Sequence, residues 1–240
     1  MSLKLNTSVE SFFQSNYPEY LSKISEVSRS DNGAFFVDSN VPAWDFDKIT
    51  QNIFKKNPPD SSDCILLSGK DIYFVEFKSG LDKLVDWKNF DPNKVVCKVL
   101  GDRPCVKLGT LLRQRDDYKE DALRQNIQLK ASDSYRTFER NIISKMLQID
   151  SGKSYNYRLH FVAVVDCEDI ENDVFEDIMS QMSETLHVPE TNHVSKIRSC
   201  LKRYARPDIW YDDVNVFGVQ EFLDFLKKWT SRNESSKPQS

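Results

Sequence analysis

The clearest hydrophobic pattern in the chain is a pair of short apolar runs, residues 64–67 and 72–77, on either side of Gly69 and Lys70. Glycine in the first position of a two-residue loop is typical of a type II′ turn, so the pattern predicts a tight β-hairpin. One side of the hairpin would carry Ile65, Leu67, Ile72 and Phe74, and the other would carry Leu66, Tyr73, Val75 and Phe77. Strands that are apolar on both faces are interior strands, so we expect this hairpin to lie inside the fold.

Helical periodicity accounts for much of the remaining chain. Apolar residues that recur every three or four positions predict helices over residues 9–28, 44–54, 111–148, 174–186, 193–205 and 219–229. Pro18 is expected to kink or split the first helix, and the long helix has a candidate break near Asp116. Further strands are predicted over residues 34–37, 157–166 and 214–218. The order therefore begins helix, strand, strand, strand, long helix, strand, which indicates an α/β protein.

Two segments lack a clear period. Residues 79–109 show neither helical nor strand spacing, so we interpret them as an insert after the third strand, either a functional flap or a small subdomain. Residues 231–240 are polar and are expected to form a disordered tail. We therefore predict one domain over residues 1–230, with a core over about 9–166 and a C-terminal α/β extension over about 167–230.

Composition narrows the class of protein. Of the 240 residues, 39% are hydrophobic and 12% aromatic, which is enough for a packed core. The net charge of −4 provides no global positive field, so any surface for nucleic acid must be local. The five cysteines include no Cys-x-x-Cys pair, which argues against zinc and iron–sulfur sites. No apolar run approaches a membrane span and no signal-peptide pattern is present, so we expect a reduced, cytoplasmic protein without membrane contact.

Three charged residues lie at the open end of the predicted hairpin. If Gly69 and Lys70 form the loop, the register places Asp63 directly opposite Glu76. Lys78, two residues beyond Glu76, points to the same face of the sheet. Charged groups at the end of a buried hairpin are costly unless they are paired or bind a metal ion.

These charges allow two interpretations. The first is a structural cluster of salt bridges at a strand end. The second is a metal site, because two carboxylates on one face can hold Mg²⁺, which prefers carboxylate and water oxygens. In that case Lys78 would orient or help to deprotonate an attacking water, or stabilise the charge that develops on a phosphate.

The acid at the start of one strand and the Glu76-Phe77-Lys78 run near the end of the next resemble the motif of the PD-(D/E)xK nuclease superfamily. The resemblance covers about residues 9–166 and implies a restriction-endonuclease-like core of order α-β-β-β-α-β. It also implies a nuclease that cleaves DNA with Mg²⁺, or with Mn²⁺ in its place, in restriction, phage defence or repair. Asp63, Glu76 and the Phe77 carbonyl would hold the metal, and Lys78 would position the nucleophilic water. The products would carry a 5′-phosphate and a 3′-hydroxyl.

Helices of this superfamily often add an acid or a lysine to the site, and Glu19 and Lys130 are the candidate accessory residues here. Lys130 borders the predicted inner stripe of the long helix, which consists of Leu123, Ile127, Ala131, Ser134, Phe138 and Ile142. Its side chain either extends to solvent or pairs with a phosphate or a carboxylate near Glu76. Ser134 is expected to be a small residue that allows close packing. Asp60 follows Pro59 in a displaced Pro-Asp pair, and the hairpin register turns it away from Glu76.

A local basic face lies near the C-terminus. Arg198, Lys202 and Arg206 repeat at four-residue steps and share one face of the predicted helix. The opposite face carries Val194, Ile197, Leu201 and Tyr204. The basic face is either ordinary surface charge or a contact for DNA phosphates, which would position a duplex without reading its sequence.

A second functional hypothesis belongs to a different class: a catalytically inactive nuclease-like module that binds nucleic acid or a protein partner. The intact set of Asp63, Glu76 and Lys78 argues against a loss of catalysis. The acidic net charge favours a protein partner or a homo-oligomer. The sequence has no P-loop, no Gly-x-Ser-x-Gly and no histidine pair at metal spacing, so it gives no support to a P-loop NTPase, a serine hydrolase or a zinc hydrolase.

Overall fold

The computed structural model describes residues 3–29, 34–79, 81, 96–97, 103–104, 106–149, 157–166, 193–207 and 209–235. These ranges form a six-stranded mixed sheet, a separate two-stranded pair and helices that pack on both faces of the large sheet. The chain is therefore an α/β protein, as the hydrophobic pattern predicts. The predicted helix over residues 174–186, most of the predicted insert and residues 236–240 lie outside the described residues.

The strands of the large sheet are β1 Leu21–Lys23, β2 Pro42–Asp45, β3 Cys64–Ser68, β4 Asp71–Lys78, β7 Arg158–Val165 and β8 Asp213–Gly218. The small pair consists of β5 Val96–Cys97 and β6 Arg103–Pro104. The spatial order of the large sheet is β1-β2-β3-β4-β7-β8. Strands β1 to β4 pair antiparallel, whereas β7 is parallel to both β4 and β8. The predicted C-terminal extension thus adds a strand to the core sheet.

The predicted hairpin and its register are confirmed. Ser68 pairs with Asp71 and Cys64 with Val75, and the loop is Gly69-Lys70. Gly69 has a φ of +58° while Lys70 is not among the residues with positive φ, and this combination is what a type II′ turn requires. The two predicted apolar faces belong to two separate core clusters on opposite sides of the sheet. The hairpin is therefore an interior element.

The helices are α1 Leu3–Asn16, α2 Ile24–Val27, α3 Phe46–Phe54, α4 Val106–Thr137, α5 Ser144–Ile149, α6 His193–Lys202 and α7 Val219–Ser235. A π-helical segment, Phe138–Ile143, joins α4 to α5. Helices α1, α4 and α6 contribute side chains to the cluster that contains Phe74, and α7 packs on the opposite face against Val75. Within the described residues, no helix is long and apolar enough to cross a membrane.

The N-terminal elements correct two predictions. The break predicted at Pro18 is confirmed, but the segment beyond it is not a continuous helix to residue 28. Helix α1 ends at Asn16, a 3₁₀ turn, Pro18–Tyr20, leads into β1, and only Ile24–Val27 is α-helical after it. Proline lacks the N–H that a continuing helix needs and disfavours helical geometry in the preceding residue. The strand predicted over residues 34–37 is also wrong, because that segment forms only an isolated bridge between Arg29 and Phe35. The strand lies instead at Pro42–Asp45, and α3 begins at Phe46 because Asp45 caps it.

Three boundaries differ towards the C-terminus. Helix α4 runs through Asp116 without a break and begins at Val106, before the predicted end of the insert. Helix α6 ends at Lys202 rather than at residue 205. The terminal helix α7 extends to Ser235, so residues 231–235 are helical and not part of a disordered tail.

Candidate functional site

The candidate site lies on the face of the sheet that α4 covers. Asp63 directly precedes β3, Glu76 and Lys78 lie on β4, and Lys130 extends from α4. The confirmed register brings Asp63 beside β4 at the level of Glu76, and Ala163 of the parallel strand β7 lies next to Glu76 on the other side.

The two carboxylates converge on one ammonium group. Lys130 Nζ lies 3.2 Å from Asp63 Oδ1 and 2.9 Å from Glu76 Oε2. Lys78 Nζ lies 2.7 Å from the other Glu76 oxygen, Oε1. Asp63 and Glu76 therefore share a point within the reach of both carboxylates, as predicted, and Lys130 pairs with a carboxylate instead of extending to solvent.

Burial is unequal among these side chains. The Glu76 side chain is fully buried, whereas the Asp63 side chain is 23% exposed and that of Lys78 is 21% exposed. Glu76 oxygens accept no oriented hydrogen bond from the described residues, so the ammonium groups meet them as ion pairs. Glu76 is thus a buried carboxylate whose two oxygens each face an ammonium group, and Asp63 forms the side of the site that is nearer to solvent.

Two backbone contacts fix Asp63. The Phe77 N–H donates to Asp63 Oδ2 at 2.7 Å, and the Phe46 N–H donates to the Asp63 carbonyl at 3.0 Å. The first contact ties the aspartate side chain to β4, and the second ties its backbone to the start of α3. The Phe77 side chain packs on the opposite face of the sheet against Phe222, at 5.7 Å between ring centroids. Asp63 is therefore held at the site by both neighbouring elements.

Burial dominates the electrostatics of the acids. Burial, followed by the charge of Asp63, raises the pKa of Glu76 to about 7, although Lys78 and Lys130 act in the opposite direction. Burial also raises the pKa of Asp63, against the lowering effects of Lys130 and of the Phe77 N–H. For Lys130, burial lowers the pKa, but the charges of Asp63 and Glu76 outweigh it and raise the pKa well above the ordinary lysine value. The site thus favours the charged form of Lys130 and makes Glu76 harder to ionise than an exposed glutamate.

Ser134 has a role that the sequence interpretation missed. Its hydroxyl accepts a hydrogen bond from the Ser62 N–H at 2.7 Å and contacts the Ser62 hydroxyl at 3.2 Å, and both residues are buried. The contact joins α4, one turn beyond Lys130, to the residue before Asp63. A serine on an otherwise apolar helix stripe was the available signal, because a buried hydroxyl needs a partner.

Asp45 is a further buried acid near the site, and it caps α3. Its carboxylate accepts from the Lys48 N–H at 2.9 Å and pairs with Lys48 Nζ at 2.7 Å. Its Cα partner in the sheet is Cys64, the neighbour of Asp63. The rule that an aspartate before the first periodic apolar residue caps a helix would have identified it. Asp45 is engaged in capping rather than at the paired carboxylates.

Two other acids are not brought to the site. Glu19 is exposed in the 3₁₀ turn, and no contact between described residues joins it to Asp63 or Glu76. Asp60 is exposed as well, in the loop that leads to β3, whereas Glu76 is fully buried. The placement of Asp60 agrees with the predicted register, whereas among the described residues no contact brings Glu19, a predicted accessory residue, to the acid pair.

The predicted basic face is only partly formed. The apolar side of α6 packs as predicted, with Val194, Ile197 and Leu201 buried. Lys202 and Arg206 are exposed, while Arg198 is half-buried. Because α6 ends at Lys202, Arg206 lies in the following turn and does not continue a helical row. The exposed basic surface is therefore smaller than the four-residue spacing suggested.

Within the part of the chain that the structure describes, no group of three or more His, Cys, Asp or Glu side chains is arranged to hold a metal ion. Asp63 and Glu76 are the two carboxylates at this site that could bind a metal ion. Comparisons of this chain with protein-family models, with curated proteins and with solved structures find no match.

Proposed function

We propose that this protein is a Mg²⁺-dependent nuclease that hydrolyses phosphodiester bonds in DNA. The observation that carries the proposal is the convergence of Asp63 and Glu76 on a single cation position, with the Lys78 ammonium 2.7 Å from Glu76. These are the residue types, in the strand positions, that the PD-(D/E)xK resemblance assigns to metal binding and water activation.

The residues present fit a divalent ion. Glu76 is buried, and each of its oxygens already lies beside an ammonium group, at 2.7 and 2.9 Å, so the site accommodates positive charge at both oxygens. Mg²⁺ commonly takes one or two carboxylates and keeps several waters, so two acids are a sufficient protein contribution. Asp63 and Glu76 would hold the ion, with the Phe77 carbonyl as the further ligand that the resemblance implies. Mn²⁺ would bind the same oxygens.

The chain's own groups then have distinct tasks. A bound divalent ion lowers the pKa of a coordinated water and polarises a phosphoryl oxygen. Lys78 would orient the attacking water or stabilise the charge that develops on the phosphate, because its ammonium lies on the same face as Glu76 and is partly exposed. Asp63 is the more exposed acid, so a backbone phosphate would approach the site from its side.

The element order supports the finer part of the proposal, a restriction-endonuclease-like core. Helix α1, strands β2, β3 and β4, helix α4 and strand β7 occur along the chain in the order α-β-β-β-α-β. The elements β1, α2, α3 and the β5–β6 pair are interposed among them, and β1 lies at the sheet edge. Asp63 directly precedes β3 and Glu76 lies on β4, the two middle strands of this series, and β4 pairs with β7, the strand that follows the long helix. Fold alone does not determine activity, so the charged residues carry the functional argument.

One observation favours the second candidate, an inactive nuclease-like module that binds nucleic acid or a protein partner. Two ammonium groups face two carboxylates, so the cluster is balanced in charge without a metal ion. A balanced cluster is also what a purely structural salt bridge would contain.

Cleavage assays separate the two candidates. Supercoiled plasmid, linear duplex, single-stranded DNA and RNA are incubated with the protein in Mg²⁺, Mn²⁺ or EDTA. We expect metal-dependent cleavage of DNA that is lost in Asp63→Asn and retained in Asp60→Asn, a matched change of an exposed aspartate three residues away. Cleavage that persists in EDTA, or no cleavage of any substrate, would refute the nuclease proposal.

A further inference from the structure

The Lys130 ammonium occupies the position between the two acids. It contacts Asp63 and Glu76 at once, at 3.2 and 2.9 Å, from a helix that follows β4 in the chain. We propose that Lys130 is an internal counter-ion that fills the divalent-metal position and that a metal ion enters the site by displacing it. This inference rests on the proposed function and assigns to Lys130 control over metal occupancy.

The contacts distinguish Lys130 from Lys78. Lys78 pairs with Glu76 alone, on Oε1, and therefore lies to one side of the acid pair. Lys130 meets Oε2 of Glu76 and Oδ1 of Asp63, so it bridges the two carboxylates that would hold a shared metal ion. A metal ion held by the two carboxylates would overlap in space with the Lys130 ammonium. The two positive charges would also repel each other.

The surroundings of Lys130 allow its side chain to move while its helix stays in place. Helix α4 is anchored near the site by Ser134, which accepts the Ser62 N–H, and by the Tyr211 hydroxyl, which donates to the Ala131 carbonyl at 2.7 Å. The Lys130 side chain is 15% exposed, so one side of it borders solvent. A lysine has a flexible four-carbon stem, so its ammonium can withdraw without a change in the backbone.

The same arrangement explains why a lysine occupies this position. Without any cation, two adjacent carboxylates, one of them fully buried, would repel each other and pay the cost of desolvation. Lys130 keeps the acids together until a metal ion arrives. After displacement the ammonium remains attached to α4 beside the site, where it can pair with a phosphate group, which carries the opposite charge.

Metal affinity tests the proposal directly and does not depend on cleavage. Mn²⁺ is titrated into the folded, EDTA-treated and desalted protein by isothermal calorimetry at one fixed pH. Lys130→Met removes the competing charge and preserves the stem, so we expect Mn²⁺ to bind tighter on the order of 10- to 100-fold, the range of one charge-assisted contact. Lys130→Arg keeps the charge and adds donors, so we expect it to bind Mn²⁺ more weakly than the parent. Lys78→Met is the matched control, and its gain should be clearly smaller than that of Lys130→Met.

The outcomes separate this inference from the proposed function. The inference alone is overturned if the parent protein binds Mn²⁺ and cleaves DNA but Lys130→Met binds Mn²⁺ no more tightly than the parent. The same conclusion follows if Lys130→Met binds Mn²⁺ no more tightly than Lys78→Met. Mn²⁺ binding by neither the parent nor Lys130→Met, without cleavage, overturns both. If Lys130→Met does not fold, Lys130→Gln decides the question, because it also removes the charge but can still hydrogen-bond to the two carboxylates. An Mn²⁺ affinity equal to that of the parent would then contradict competition by the side-chain cation.

Discussion

Glu76→Gln in the metal-free protein gives the sharpest test of the electrostatics. The pKa of Glu76 is raised from 4.5 to about 7, with burial as the largest cause and the Asp63 charge as the second. That difference corresponds to about 3 kcal/mol of free energy against the ionised form in the folded state. Glutamine has nearly the shape of the protonated acid and carries no charge at any pH.

The sign of the effect follows from linkage. Because the folded-state pKa lies above the unfolded value, the unfolded chain loses its proton first as the pH rises. The parent therefore has the full contribution of the protonated Glu76 below about pH 4.5 and loses it between there and about pH 7. The variant lacks this loss, so at about pH 8 in EDTA we expect Glu76→Gln to be more stable than the parent by up to about 3 kcal/mol.

Urea unfolding followed by circular dichroism, at several pH values in EDTA, measures this difference. Glu10→Gln replaces an exposed glutamate and should change the unfolding free energy by less than about 0.5 kcal/mol. If Glu76→Gln is instead destabilised by roughly 3–5 kcal/mol at about pH 8, the expected gain in stability is refuted, because a loss of that size is the effect of breaking a stabilising buried ion pair.

Three further predictions concern metal binding, catalysis and DNA. Mn²⁺ should bind more tightly at about pH 8 than at about pH 6, because binding must displace the proton that Glu76 holds, and calorimetric titrations should show proton release. Lys78→Ala should retain Mn²⁺ binding while the cleavage rate falls on the order of 10²-fold or more, and an unchanged rate would remove Lys78 from the reaction. Changing the exposed Lys202 and Arg206 together to Ala should lower the salt dependence of DNA binding by about one unit of slope per lost phosphate contact, and an unchanged slope would identify them as ordinary surface charge.

The part of the site that lies on the hairpin was predictable, because a two-residue loop determines the pairing of every residue behind it. That logic placed Asp63 opposite Glu76, and the observed contact from the Phe77 N–H to Asp63 agrees with it. The sequence does not decide whether the Lys130 side chain extends to solvent or pairs with a carboxylate. Sequence shows that a lysine borders an apolar stripe, but the position of a helix along a sheet depends on packing between distant segments.

The wrong predictions near the N-terminus, a helix continuing beyond residue 20 and a strand over residues 34–37, have physical causes. Apolar spacing continues through Tyr17, Tyr20 and Ile24, so the periodic pattern extended the first helix beyond Pro18. The true strand, Pro42–Asp45, contains a proline and an aspartate, which are depleted in strands, and it takes its conformation from pairing with β1 and β3. Pairing between strands distant in the chain overrides intrinsic preference at such positions.

The separation in sequence between the acids and Lys130 also has a consequence for the order of folding. The hairpin closes through a two-residue turn, whereas Lys130 is 67 residues from Asp63 and reaches it only when α4 docks. Contacts close in sequence form with less loss of chain entropy, so we expect the two carboxylates to meet before their bridging counter-ion arrives. Docking of the long helix would then relieve a repulsion between the two acids that begins when the hairpin closes. The refolding rate should accordingly fall as the pH rises and the acids ionise. In Lys130→Met, which lacks the counter-ion, this fall in the refolding rate should be larger than in the parent.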